Sequence, residues 1–340
     1  MDKDRIALRD TIVHILDSTV GMPVLSDDKL DFGSDFGDFL REHIYKVLKS
    51  DDIKKCTFEE ESNVNNIIRT AIETGEDFVE TSKKIANLLY EIMNANIDIP
   101  SADLIITCFE IEGIAFMGLL KMNYKESYMH QTLNNEGSNV NSIIKYKAAL
   151  PSESQKLSEA AIINLMDGSV RIIEKKYDVN GKKTNYFSEI FLNCRTTLSQ
   201  KAKLEIVEKA VEAVQKEYFN ESEQFEEKMK AKSVIHKELA EENEVSVKEV
   251  MTKVFEDKVD LKEKFEEKLE KYHIKPEEVI KPQNDNTTRK YEKQLLKTDK
   301  GIEIKIPMEQ YNSNDSIEFI TNQDGTISVL IKNIGHITSR

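Results

Sequence analysis

A chain of 340 residues carrying 48 basic and 62 acidic side chains, a formal net charge of −14, has room for two or three domains with at least one sizeable core. That balance keeps it in solution and excludes a wholesale electrostatic grip on nucleic acid, so any contact with DNA must be local. Cys56, Cys108 and Cys194 are odd in number, far apart and without CxxC spacing, which suits a reducing cytoplasm better than a disulfide framework or a zinc knuckle. The opening MDKDRIALRD lacks a hydrophobic signal core, and no apolar run approaches the ~20 residues of a bilayer span. A cytoplasmic protein with no membrane partner is expected.

In chain order, Ile6 to Ser18 reads as a strand through Ile12, Val13, Ile15 and Leu16, and Pro23 to Ser26 as a second, short one. Phe36, Phe39, Leu40, Ile44, Val47 and Leu48 recur at helical spacing, predicting a helix over 34–50 with Ser34 or Asp35 as N-cap. Two more helices follow over 63–74 and 76–96, separated by Gly75 as a C-terminal stop. The most apolar stretch, Ser101 to Asn123, has two arms about Glu112-Gly113 and reads as an antiparallel hairpin. Both arms are nearly continuously apolar, so the sheet should be covered on both faces by helices.

Further strands are expected at Ile143 to Tyr146, Ala160 to Leu165 and Val170 to Tyr177, with turns at Asp167-Gly168 and Asn180-Gly181. From Thr197 there is no glycine or proline until Pro276, and four apolar stripes predict four helices: Leu204 to Tyr218, Phe225 to Leu239, Val247 to Phe255 with Ser246 as cap, and Phe265 to Tyr272. KPQNDNTT, 281–288, reads as a linker. Alternation at Ile302 to Ile306, Ile317 to Thr321 and Ile327 to Ile331, the last two flanking Asp324-Gly325, predicts a small three-stranded unit. The expected fold is α+β: a mixed α/β domain with a mainly antiparallel sheet over 1–195 around the hairpin 101–123, a helical region over 196–280, the linker, and a small β unit over 289–340.

Four segments carry a resemblance. The IVHILDS strand, FEEES at Phe58 to Ser62, the hairpin ADLIITCFEIEGIAFMGLLKMNY, and NYFSEIFLNC at Asn185 to Cys194 leading into a long helix together resemble the bacterial 37-kDa nucleoid-associated protein family. The likeness covers most of residues 5–220, and it implies a non-enzymatic protein of the nucleoid that binds double-stranded DNA. It transfers no DNA-binding residue, because the family has no short binding motif to align.

The residues themselves offer three basic runs as candidate DNA contacts: Lys145 and Lys147; Arg171, Lys175, Lys176, Lys182 and Lys183 around Asn180-Gly181; and Arg289, Lys290, Lys293, Lys297 and Lys300. A lysine-rich hairpin tip can follow a phosphate backbone or enter a groove, although lysines at exposed turns are ordinary. His236 to Phe255 has the outline of a helix-turn-helix, but its second helix offers only Lys248 and Lys253 and no base-reading Arg, Asn or Gln.

Two rival functions follow from other features. The charged helices suit a protein-interaction scaffold, for other nucleoid proteins or a homo-oligomer. Asp103, Glu110 and Glu112 on β structure suggest metal ligands of a nuclease, without the lysine two residues beyond the second acid that such sites use. Six histidines form no HxH or HxxxH pair, and no Walker loop, GxGxxG or GxSxG is present, so no cofactor is expected.

Overall fold

The computed structural model describes residues 2–135, 138–312, 316–323 and 326–338. It divides into two units, 1–198 and 199–340.

The first unit is built on the strands β1 (Ile6–Leu16), β2 (Lys54–Phe58), β3 (Ala102–Ile111), β4 (Ile114–Asn123), β7 (Glu159–Asn164), β8 (Val170–Ile173) and β11 (Cys194–Thr196), numbered in chain order. They form one antiparallel sheet in the order β1-β3-β4-β7-β8-β2-β11. The β3–β4 hairpin lies inside it, turned by Glu112 and Gly113, whose φ values of 53° and 81° are the left-handed pair of a tight two-residue hairpin. The near-continuous apolar arms have a simple cause. Leu104, Ile106, Met117 and Leu119 face one core with α2 (Asn63–Thr74) and α3 (Phe78–Ala95); Ile105, Phe109, Leu120 and Met122 face a second core with α1 (Ser34–Leu48). Both parities of each strand are therefore buried.

Several local expectations are corrected. The cap of α1 is Gly33, with no side-chain bond, rather than Ser34 or Asp35. Pro23 to Ser26 contributes one bridge, Ile15 to Val24, and no strand. Gly75 does end α2, in the left-handed conformation. Between β4 and β7 the chain forms a long two-stranded ribbon, β5 (Lys125–Asn135) and β6 (Ser138–Ala149), where the sequence suggested one short run. After β8 comes a small hairpin, β9 (Tyr177–Val179) and β10 (Lys182–Thr184), turned by Asn180 and Gly181 at φ 53° and 80°.

In the second unit the four predicted helices are α4 (Gln200–Tyr218), α5 (Glu221–Glu242), α6 (Val247–Phe255) and α7 (Val259–Glu270). Leu204, Val207, Val211 and Val214 of α4 are buried with Met229, Ile235, Val254, Phe265 and Leu269, while Tyr218 and Tyr272 of the predicted stripes lie exposed. Ser246 caps α6, accepting from the Glu249 N–H. The helix-turn-helix outline does not form: after α5 the chain passes through left-handed Asn243 into β12 (Val245–Ser246), which pairs with β13 (Val279–Ile280). Within 281–288, Asn284 caps α8 (Asp285–Glu292), whose Tyr291 is buried and donates to Glu208 of α4. The expected three-stranded unit is instead two separate pairs, β14 (Lys293–Lys297) with β15 (Glu303–Pro307) and β16 (Ile317–Thr321) with β17 (Ile327–Ile331), with α9 (Met308–Asn312) between them. The Asp324-Gly325 turn lies outside the described residues.

Two buried polar groups of the first unit set measurable dependences. Lys121 and Glu159, cross-strand partners on β4 and β7, are both fully buried with Nζ and Oε1 3.5 Å apart. Tyr186 donates to Glu159 at 2.8 Å, Asn123 donates to it at 2.8 Å, and Lys121 also donates to the Pro100 carbonyl at 3.1 Å and to Asn123. Burial pulls the Lys121 ammonium down to about 8 against the opposing pull of Glu159. Lys121→Met strands a buried carboxylate and is expected to cost roughly 3–5 kcal/mol. Adding Glu159→Gln should recover part of that loss in urea melts, whereas fully additive losses would show that the two side chains act independently.

His14 is held neutral between Ser26, whose N–H donates to Nδ1, and Ser82, which accepts from Nε2 because its own hydroxyl donates to the Val79 carbonyl. Burial, with the nearby Lys83 charge second, pushes its pKa from 6.5 to about 4. The unfolded chain then binds one more proton between those values, so stability falls as pH drops from 6.5 towards 4. His14→Gln should flatten that part of a stability against pH curve.

Candidate nucleic-acid interface

The three basic runs meet different fates. On β6, Lys145 is ion-paired to Glu126 at 2.6 Å, and Lys147 also acts on that carboxylate, holding it below the usual range. In the second unit, Lys290 pairs with Glu208 at 2.5 Å and lies over the Tyr291 ring, and Lys297 is 3.7 Å from Glu303. Arg289 and Lys290 lie on α8, whereas Lys293 and Lys297 are on β14. Arg289, Lys293 and Lys300 are exposed.

The middle run is split by the sheet. Arg171 lies on β8 opposite Ile162, on the α1 side, whereas β9 and β10 pack through Tyr177 and Val179 against the core on the α2 and α3 side. Only Lys182 and Lys183 are on the hairpin, with Lys175 and Lys176 just before β9; all four are exposed, and none has an ion pair among the described residues. Lys175 sits over the Tyr177 ring at 5.6 Å, and the Asp178 carboxylate is engaged by the Gly181 N–H at 2.8 Å. Residues 175–184 hold four lysines against one aspartate, a local net of +3 in an anionic chain. The two-residue turn holds Lys182 and Lys183 at the exposed end of the hairpin, on opposite faces because they partner Val179 and Asp178, while Lys175 and Lys176 are exposed just before its first strand; exposed ammonium groups are the chemistry that binds phosphate oxygens.

On the opposite side of the sheet, Arg171 is joined by residues the sequence did not single out. Lys55 of β2 is its cross-strand partner, and two residues on, Thr57 pairs with Arg195 of β11. Period-two geometry puts Lys55, Arg171 and Arg195 on one exposed face. Arg195 is neutralised by a two-pronged bond to Glu59, at 3.0 and 3.2 Å, which leaves Lys55 and Arg171 as its cationic part. The one signal available was the alternation in KKCTF, too short to stand out beside FEEES.

The acids of the suggested nuclease site do not converge. Asp103 accepts from the Tyr124 hydroxyl at 2.7 Å, and burial raises its pKa; Glu110 forms a two-pronged pair with Arg9; Glu112 pairs with Arg5 at 2.6 Å. Seven residues of extended strand, about 23 Å, separate Asp103 from Glu110. Among the described residues no group of three or more His, Cys, Asp or Glu is placed to hold a metal ion, and no helix is long and apolar enough to cross a membrane.

Against known proteins, the family model described as nucleoid-associated protein YejK matches residues 12–337, nearly the whole chain. Comparison with the curated proteins gave no match.

Proposed function

We propose that this chain, which belongs to the nucleoid-associated protein YejK family, holds double-stranded DNA without reacting with it, and grips the phosphate backbone through the β9–β10 hairpin. Membership places it with the nucleoid; the choice of surface rests on one observation. Lys175, Lys176, Lys182 and Lys183 are all exposed within one short stretch of chain and have no ion pair among the described residues, whereas Lys145, Lys290 and Lys297 are already met by carboxylates. To reach a phosphate, a paired lysine must first give up its carboxylate, while an unpaired one releases only counterions from the duplex. Lys55 and Arg171 form a lesser, separate cationic face that gives non-specific binding a second foothold.

Recognition of this kind is by charge, so affinity should be indifferent to base sequence and steep in salt. Changing Lys175, Lys176, Lys182 and Lys183 to Gln should weaken binding to a duplex and reduce the slope of log affinity against log salt by about 0.9 for each phosphate no longer neutralised. Lys290→Gln should leave both nearly unchanged. Fluorescence anisotropy on a labelled duplex across a salt series measures these slopes. An unaltered slope in the quadruple variant would remove the hairpin from the interface, and no binding by the wild type at low salt would favour the protein-interaction scaffold.

A further inference from the structure

The β5–β6 ribbon stands apart from both cores of its unit, and its two faces differ. Cross-strand partners share a face, so Ser127 with Tyr146, Met129 with Ile144, Gln131 with Ser142, and Leu133 with Val140 make up one side. Those eight side chains include no charge, in a chain of which 32% is charged. Met129, Leu133, Val140, Ile144 and Tyr146 are each 41–51% exposed. The opposite side carries Tyr128, His130, Thr132, Ile143 and Lys145, including the ion pair to Glu126.

An isolated two-stranded hairpin is marginal in water; strands of 11 and 12 residues need a third strand or a packed face to hold. The uncharged face is unsuited to phosphate, and its pattern shows what suits it. Along the ribbon, the apolar pair Met129–Ile144 and the apolar pair Leu133–Val140 lie equally far on either side of the polar pair Gln131–Ser142. The face is thus its own complement under a two-fold rotation. An axis lying in the interface along the line from Gln131 to Ser142 sets Met129 of one copy on Leu133 of the other and Ile144 on Val140. Gln131 then meets its own counterpart, so polar atoms face polar atoms.

We propose that this face is the interface between two copies of the chain, packed ribbon on ribbon in an isologous dimer. The proposal does not rest on the binding of DNA. The lysine-bearing faces of both ribbons are turned outward by it, and the paired ribbons form a two-layered structure in place of two bare hairpins.

The test is sedimentation of the full chain at tens of micromolar, nuclease-treated and in high salt so that DNA cannot bridge copies. The wild type should be a dimer, and Met129→Lys and Leu133→Glu should each be monomers with unchanged circular dichroism. Mixed one to one, the two variants should recover a dimer, because one pairing becomes Lys on Glu and the other keeps the original residues. A short bismaleimide should link Gln131→Cys to its own copy and leave Thr132→Cys, on the other face, and the wild type unlinked. A monomeric wild type, variants that stay dimeric, a mixture that fails to re-associate, or equal linking at 131 and 132 would each overturn the proposal. Should a charged variant misfold, the cysteine pair still decides the outcome.

Discussion

The first unit depends on a charge pair whose two side chains are fully buried. Lys121 and Glu159 meet across β4 and β7 at the point where the two strands part to let the β5–β6 ribbon leave the sheet. Two charges cost several kcal/mol each to bury, and here their partners come from four places: Asn123 beside the ribbon root, Tyr186 at the start of the short helix Phe187–Leu192, the Pro100 carbonyl before β3, and each other. A one-residue slip between β4 and β7 would turn Glu159 to the other face and break its pairing with Lys121, so the pair fixes the register that the apolar side chains alone leave open. Beside it, Tyr124 bonds Asp103 and its N–H reaches the Ser101 carbonyl, which ties the first residue beyond β4 back to the sheet. The ribbon therefore departs from a firm base, although its own length packs on neither core.

Much of this architecture was legible. The β3–β4 hairpin declared itself through apolar arms about Glu112-Gly113, and the structure gives that pair the φ values a two-residue turn requires. The four helices of the second unit followed from the spacing of Leu204, Val207, Val211 and Val214 and its later counterparts. What was missed has a common cause. The ribbon strands alternate weakly and hold Asn, Ser, Gln and Thr, so apolar patterning picks out only Ile143, Ile144 and Tyr146. β2 and β11 are short, and β2 pairs only with strands far along the chain, β8 and, across 136 residues, β11, beyond any local signal. The helix-turn-helix outline misled because Val245 and Ser246 form a bridge to 279–280 that nothing near them in sequence announces.

Of the candidate site, the residue types were legible and their partners were not. Twelve basic residues look alike in the sequence; in the fold, ion pairs take up Lys145, Lys290 and Lys297. The second unit shows why. Lys228, Lys253, Lys258 and Lys268 each meet a glutamate on a neighbouring helix, and Lys230 meets Glu256 just past the end of α6; where such pairs are exposed they are individually worth ~0–1 kcal/mol. These keep the helices soluble and use up cations that would otherwise face an anionic partner. The hairpin at 177–184 escapes this, because its one acid, Asp178, is turned inward to its own turn. A chain of net charge −14 can thus carry a small cationic surface, and the Debye length of roughly 8 Å at physiological salt confines the repulsion from its acids to their own neighbourhood.

The most direct test of this electrostatic account is lysine footprinting by brief acetylation and mass spectrometry, with and without a duplex. Loss of reactivity at Lys175, Lys176, Lys182 and Lys183 on adding DNA, with Lys290 and Lys297 unchanged, is the predicted result. Protection confined to lysines of residues 199–340, or no protection anywhere, would contradict it.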